Sequence, residues 1–146
     1  MTSMEDIKKE LGEYLLNKKL LAEKEKDLDE LIAKAEKVTT ELSDMPKGSP
    51  IVQDRMAEFS VMIVDLKNER LGQLIQMYKS KKRIEDNIDK LDQPYRDLLY
   101  FRYIRGHDLT QVANDINYNY TYTCDLHGKA LLMYKRTEEI WLNPNI

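Results

Sequence analysis

Between Met4 and Ser43 apolar side chains recur every seven residues, at Ile7, Tyr14, Leu21, Leu28, Ala35 and Leu42. The interleaved set, Leu11, Lys18, Glu25, Ile32 and Thr39, holds two apolar members. Eight apolar positions out of eleven, sustained over more than five heptads, predict a coiled-coil seam. The remaining faces alternate Lys and Glu, as in Ala22-Glu-Lys-Glu-Lys-Asp27, the pattern of a solvated helix surface. Gly12 is the one glycine of this span and it has no proline, so a single helix of about 40 residues, about 60 Å long, is predicted.

Ser43-Asp-Met-Pro-Lys-Gly-Ser-Pro50 ends it, because two prolines and a glycine within five residues cannot continue a helix. A second helix is predicted from about Val52 to Leu91, its apolar stripe formed by Met56, Phe59, Ile63, Leu66, Leu74, Met77, Ile84, Ile88 and Leu91. The register loosens between Arg70 and Gln73. Two helices of similar length joined by a turn at 43–50 make residues 1–90 an antiparallel coiled-coil hairpin. Such a hairpin buries one stripe per helix. Further apolar surface is expected to meet a second subunit, giving a homodimer through the hairpin, or the C-terminal domain.

After Leu91 the pattern changes to short, capped helices. Asp92 is placed to cap a helix whose first turn tolerates Pro94. Its apolar face is Leu98, Leu99, Phe101, Tyr103 and Ile104, and Gly106 supplies the left-handed closing residue. Asp108 begins the next helix with Gln111 as its capping-box partner. Leu109, Val112, Ala113 and Ile116 face inward, Ala113 being small enough for two helices to cross closely. Asn117 falls where the turn needs a positive φ, which Asn accepts more readily than most residues. Tyr118 is expected under the turn. Asn119 caps a further helix whose inward stripe is Thr123, Leu126 and Ala130. The string reads as a helix-turn-helix over residues 91–136. Residues 137–146 form a tail in which Trp141 packs on the C-terminal domain or the hairpin, or marks a partner site, and Asn143-Pro-Asn-Ile146 frays.

Composition supports the helical class. The chain is 42% hydrophobic and 34% charged, with only five glycines and four prolines in 146 residues, fewer turn residues than sheets require. No apolar run approaches the roughly 20 residues that span a bilayer. No signal peptide is visible at the start, so no membrane partner and a cytoplasmic location are expected. One cysteine, Cys124, excludes an internal disulfide. His107 and His127 lack the neighbours of a zinc site and are expected to be solvent-exposed or weakly hydrogen-bonded. No glycine-rich phosphate loop or nucleophile–base pair occurs, and Asp125 beside Cys124 disfavours a thiolate. Neither an enzyme, a cofactor nor a metal is expected.

Net charge is −3, unevenly spread. Residues 1–50 hold nine Lys/Arg against twelve Asp/Glu, residues 65–90 seven against five, and residues 91–146 six against seven. The basic footprint usual in DNA-binding proteins is therefore faint. With the inward stripe fixed, the outward residues of the last helix are Tyr120, Thr121, Cys124, Asp125 and Gly128, with Tyr122 and Lys129 at the flanks, and together with the cap Asn119 they are the candidate DNA-binding residues. In a helix-turn-helix this surface faces the major groove. Thr121 can donate to a base or touch a thymine methyl, and Asp125 can accept from cytosine N4. Tyr120 and Tyr122 reach phosphates or sugars, and Gly128 allows close approach. Lys81, Lys82 and Arg83 are candidate phosphate contacts, or else a solvated helix face balanced by Glu85, Asp86 and Asp89.

Leu91-Asp-Gln-Pro-Tyr-Arg-Asp-Leu-Leu-Tyr-Phe-Arg-Tyr-Ile-Arg-Gly-His-Asp-Leu-Thr-Gln-Val-Ala113 resembles the opening of the C-terminal promoter-reading domain of sigma factors. Leu126-His-Gly-Lys-Ala-Leu131 resembles its closing helix. With the long N-terminal helices and the Ser43–Gly48 turn, the layout is similar to small phage-encoded transcriptional regulators of the ArpU/RinA-like group. Asn117 stands where glycine is usual in that pattern, and Thr123 where Val or Ile is. The resemblance implies an all-α protein, a helical hairpin followed by a sigma-like helix-turn-helix. It implies a regulator, an activator of late genes in a bacterial host cell, that binds double-stranded promoter or operator DNA and engages host RNA polymerase. A protein-interaction module that binds polymerase or another regulator without touching DNA is the rival expectation, favoured by the weakly acidic last third.

Overall fold

The computed structural model describes residues 3–46 and 48–142, the side chains of residues 139–142 excepted. Every regular element among them is helical, so the class is all-α. The order is α1 (Met4–Leu11), α2 (Glu13–Glu41), α3 (Pro50–Ile88), α4 (Tyr95–Leu99, continued by a π-helical turn over Tyr100–Ile104), α5 (Leu109–Ile116) and α6 (Tyr120–Leu142). No helix among the described residues is long and apolar enough to cross a membrane.

The single long helix expected up to Ser43 is two helices. Ser3 opens α1 with a reciprocal cap: its hydroxyl accepts from the Asp6 N–H, and the Asp6 carboxylate accepts from the Ser3 N–H, each at 3.2 Å. The break comes at Gly12, where ψ relaxes to −7°. A Cβ there would stand 3.2 Å from the Lys8 carbonyl oxygen, so glycine accommodates the tighter path. The Ser43–Pro50 segment does end α2, with Gly48 at φ 87°. Pro50 itself starts α3, because proline's fixed φ suits a first helical position where no N–H is needed.

Two compact units form: Lys18–Gln76, and a unit combining the chain up to Asn17 with the chain from Met77 onward. The division expected near residue 90 is therefore displaced. α1 and the end of α3 belong with the last helices, because Ile7, Leu11, Ile84 and Ile88 are almost wholly buried in that unit beside Leu98, Leu99, Val112, Leu131 and Tyr134. α1 packs on α6. Polar ties join the neighbouring helices: Asn17 on α2 donates to the Ser80 hydroxyl of α3 at 2.7 Å, and Asn87 on α3 to the Tyr134 hydroxyl of α6 at 3.3 Å. Arg83 pairs with Glu10 at 3.5 Å and also with Glu13. α6 runs on through Leu142, so residues 137–142 continue a helix where a tail was expected. The Trp141 side chain and Asn143–Ile146 lie outside the described residues.

Within Lys18–Gln76 the buried apolar side chains are Leu21, Leu28 and Leu31, and Lys24 bonds Glu69 at 2.9 Å. Ala35 and Leu42, the last members of the heptad series, are only half-buried. On α3, Phe59, Ile63, Leu66 and Leu74 are half-buried, whereas Met56, expected in the same stripe, is 52% exposed.

Candidate nucleic-acid interface

The surface in question is built from α4 outward. The Asp92 side chain does not cap α4. The residue preceding the helix is Pro94, and Asp92 contributes its carbonyl, which accepts from the Arg96 N–H at 3.0 Å. After Leu99 the backbone widens into the π-helical turn and closes at Gly106, whose φ is 77° as the sequence required. Arg102 donates to the His107 carbonyl at 3.1 Å and so staples this turn. The His107 ring stacks on Phe101, and its Nδ1 lies 2.6 Å from an Asp115 carboxylate oxygen on α5.

α5 opens with the expected capping box. The Asp108 carboxylate accepts from the Gln111 N–H at 2.8 Å, and the Gln111 side chain accepts from the Asp108 N–H at 2.9 Å. It ends at Asn117, which adopts φ 63° and ψ 39°. The Tyr118 N–H then reaches back to the Ala113 carbonyl at 3.1 Å, satisfying a helix-end acceptor. Asn119 begins α6, its side-chain oxygen accepting from the Tyr122 N–H at 2.8 Å.

Thr123, Leu126 and Ala130 are buried, as their spacing implied. Thr123 sits at 0% exposure because its hydroxyl donates to the Asn119 carbonyl at 2.8 Å, so a polar residue fits where Val or Ile is usual. The opposite side carries Asn119, Tyr120, Thr121, Tyr122, Asp125 and Lys129, all exposed, with Cys124 and Gly128 half-buried between them. Tyr118 does not tuck under the turn. It is 43% exposed and meets Tyr122 edge-on, ring centres 5.1 Å apart. A hydrogen bond to the Cys124 thiol pushes the Tyr120 hydroxyl pKa up. A Cβ on Gly128 would meet open space, so nothing inside the protein requires glycine there.

The basic run on α3 is engaged within the chain. Lys81 lies 3.7 Å from Glu85 and over the Tyr14 ring, Lys82 is 3.2 Å from Asp86, and Arg83 ties α3 to Glu10 and Glu13. Lys82 keeps 80% of its side chain in water, but Arg83 serves as a strut between helices. Arg105, passed over in the sequence reading, is exposed just before α5 with its guanidinium over the Tyr100 ring. Its signal was the Arg-Gly step preceding a capping box, which a charge tally over fifty residues averages away.

Both histidines are held more firmly than expected. The His127 Nε2 lies 2.8 Å from the Tyr103 hydroxyl, with the two rings stacked. Burial, aided by the Arg102 and Lys8 charges, pushes its pKa down to about 4, so it is neutral at pH 7. Among the described residues no cluster of His, Cys, Asp and Glu is arranged to hold a metal ion.

The chain matches no protein-family model, no curated protein and no solved structure.

Proposed function

We propose that this chain is a phage or prophage transcriptional regulator, an activator of late genes, whose α5–α6 pair docks on promoter DNA as a helix-turn-helix. The observation that carries the proposal is the left-handed Asn117 between two side-chain-capped helices, which turns Asn119–Lys129 outward while Thr123, Leu126 and Ala130 anchor the helix behind it. The start of α6 offers backbone N–H groups at the positive end of a helix, where a phosphate is favoured. From there Thr121 and Asp125 reach base edges, Tyr120 and Tyr122 the sugar-phosphate wall, and Gly128 lets the backbone approach. Lys129 and Arg105 supply phosphate contacts. The regulator acts in the bacterial cytoplasm as a homodimer through the helical hairpin, reading two half-sites and engaging host RNA polymerase.

One observation favours a second reading, a module that binds polymerase or another regulator without DNA. Three exposed tyrosines, Tyr118, Tyr120 and Tyr122, share the surface with Asp125, and no arginine lies on the outward side of α6 between Tyr120 and Lys129. Such a surface suits a protein interface core. Titrating labelled promoter fragments at several salt concentrations separates the two. DNA docking makes log K fall linearly with log salt, and Lys129→Ala reduces the slope by about one. Polymerase capture that ignores salt, with no DNA shift, selects the second reading and removes the first.

A further inference from the structure

α3 carries two apolar seams. Phe59, Ile63 and Leu66 form the half-buried one. Two residues earlier, and so about 200° around the helix at 100° per residue, stand Ala57, Val61 and Val64, and the same line continues through Asn68, Leu71 and Ile75. Their spacing alternates four and three without a slip, the heptad rhythm of a coiled coil. All six lie within Lys18–Gln76 and all are exposed: Val61 by 61%, Val64 and Leu71 by 55%, Ile75 by 44%. A solvated helix face has no reason to keep that rhythm with aliphatic residues at five of six positions.

We propose that this outer seam of α3 zips against the same seam of a second copy of the chain, parallel and in register, as a two-stranded coiled coil. The residue types specify the geometry. Val61, Asn68 and Ile75 occupy the a positions and Ala57, Val64 and Leu71 the d positions. β-branched residues at a, as at Val61 and Ile75, with leucine at d, as at Leu71, favour two parallel strands. Asn68 chooses the occupant. Its amide interrupts an aliphatic strip, and an apolar partner would leave it without a hydrogen bond. An identical helix in register brings a second Asn68 to the same layer, where the two amides satisfy each other. Antiparallel pairing instead sets Asn68 against Val64 or Leu71.

Charge at the flanks agrees. In the parallel register Asp65 lies across from Ser60 of the copy and Lys67 across from Gly72, so no like charges meet. Gly72 itself weakens a helix, and a Cβ there would touch nothing in this chain. Beside the seam it lets a second backbone come close. The pairing makes specific the dimer named above and is independent of the DNA-facing surface.

The test is the mass of the full chain by sedimentation at micromolar concentration without DNA, so that failure of the dimer and failure of DNA reading are scored separately. Twice 17.3 kDa is expected. The pair Val64→Lys and Leu71→Lys should halve the mass and leave the far-ultraviolet circular dichroism of the single chain intact, because both side chains already face water. In a Cys124→Ser background, Val61→Cys should oxidise to a covalent dimer. Antiparallel helices would hold the two cysteines several turns apart. A single-chain mass for the unaltered protein, a three-chain mass, a dimer indifferent to the two lysines, or no cross-link through Val61→Cys would each overturn the proposal.

Discussion

Lys18–Gln76 and the unit that surrounds α4–α6 are both helical, and both carry many aliphatic side chains, but they use them differently. Around α4–α6, side chains including Tyr134, Ile7, Leu98 and Leu131 have lost practically all contact with water. In Lys18–Gln76 three leucines are buried, while Ile51, Met56, Val61, Met62, Val64, Leu71 and Ile75 remain largely exposed. Several short helices at varied angles enclose a volume. A pair of long ones encloses only a line, and each keeps an outer side that must be polar or must find another partner. The unit around α4–α6 buries its apolar side chains within the chain, whereas Lys18–Gln76 leaves many of its own in water.

The sharpest way to break that contrast is to truncate one leucine in each unit. Leu131→Ala, in the enclosed core, is expected to lower unfolding free energy by about 2–5 kcal/mol. Leu71→Ala, measured in a Val64→Lys background at a concentration where sedimentation shows single chains, should stay within roughly 0.5 kcal/mol of that background. Equal losses in denaturant titrations would remove the distinction between the units.

The next effect concerns the turn before α6. Asn117→Val places a β-branched side chain at φ 63° and should cost about 1–2 kcal/mol or more, whereas Asn117→Gly should be neutral or slightly stabilising. Thermal melts of the two variants decide it. A tolerated valine would mean that the left-handed turn does not form.

Glycine offers a finer comparison. Gly72→Ala and Gly128→Ala both add a Cβ into open space, and each should stabilise its helix by up to about 1 kcal/mol. Their costs should then diverge. Gly72→Ala should weaken self-association and leave DNA affinity per monomer alone, and Gly128→Ala should do the reverse. Sedimentation and DNA titration on the same two variants give four readouts.

The smallest expected effect is a pH dependence confined to the enclosed unit. Burial first, then a hydrogen bond and charge repulsion from Glu10, push the Glu138 pKa up to about 8 from its ordinary 4.5. A carboxyl raised on folding contributes stability below its ordinary pKa that is lost as pH rises through about 8. His127, lowered to about 4, has the opposite sign. Its contribution is present above 6.5 and lost as pH falls towards 4. The two slopes oppose each other between about 4.5 and 6.5, and Glu138 acts alone from 6.5 to 8, where melting temperature should fall with rising pH. Because Glu138 is partly solvated, the fall should be shallow. Glu138→Gln should flatten it, and a melting temperature rising through that window in the parent would contradict the assignment.

Much of this was legible residue by residue. Asp108 with Gln111, Asn117, Asn119 and the Ser43–Pro50 break each act through backbone groups a few residues away, so their chemistry can be read from adjacent letters. The candidate site was legible to the same depth: the inward stripe Thr123, Leu126 and Ala130 leaves its outward neighbours by subtraction. Arg83 was not legible in this way. Its run of basic neighbours resembled a phosphate contact, and its acidic partners lie some seventy residues earlier in the chain. Tyr118 and His127 were misjudged for a related reason, since whether a ring is covered depends on which distant helix passes over it.

By itself, then, the amino-acid order determined the helical class, the capping box at Asp108, the cap at Asn119, the turns at Gly106 and Asn117 and the break after α2, because these depend on periodicity and on hydrogen bonds spanning at most four or five residues. Tertiary structure alone decided which side of α3 is covered, that α1 and the end of α3 join α4–α6, and that Arg83 is a strut. Those outcomes depend on long-range packing, where the surface one helix buries is set by a neighbour that no local pattern names.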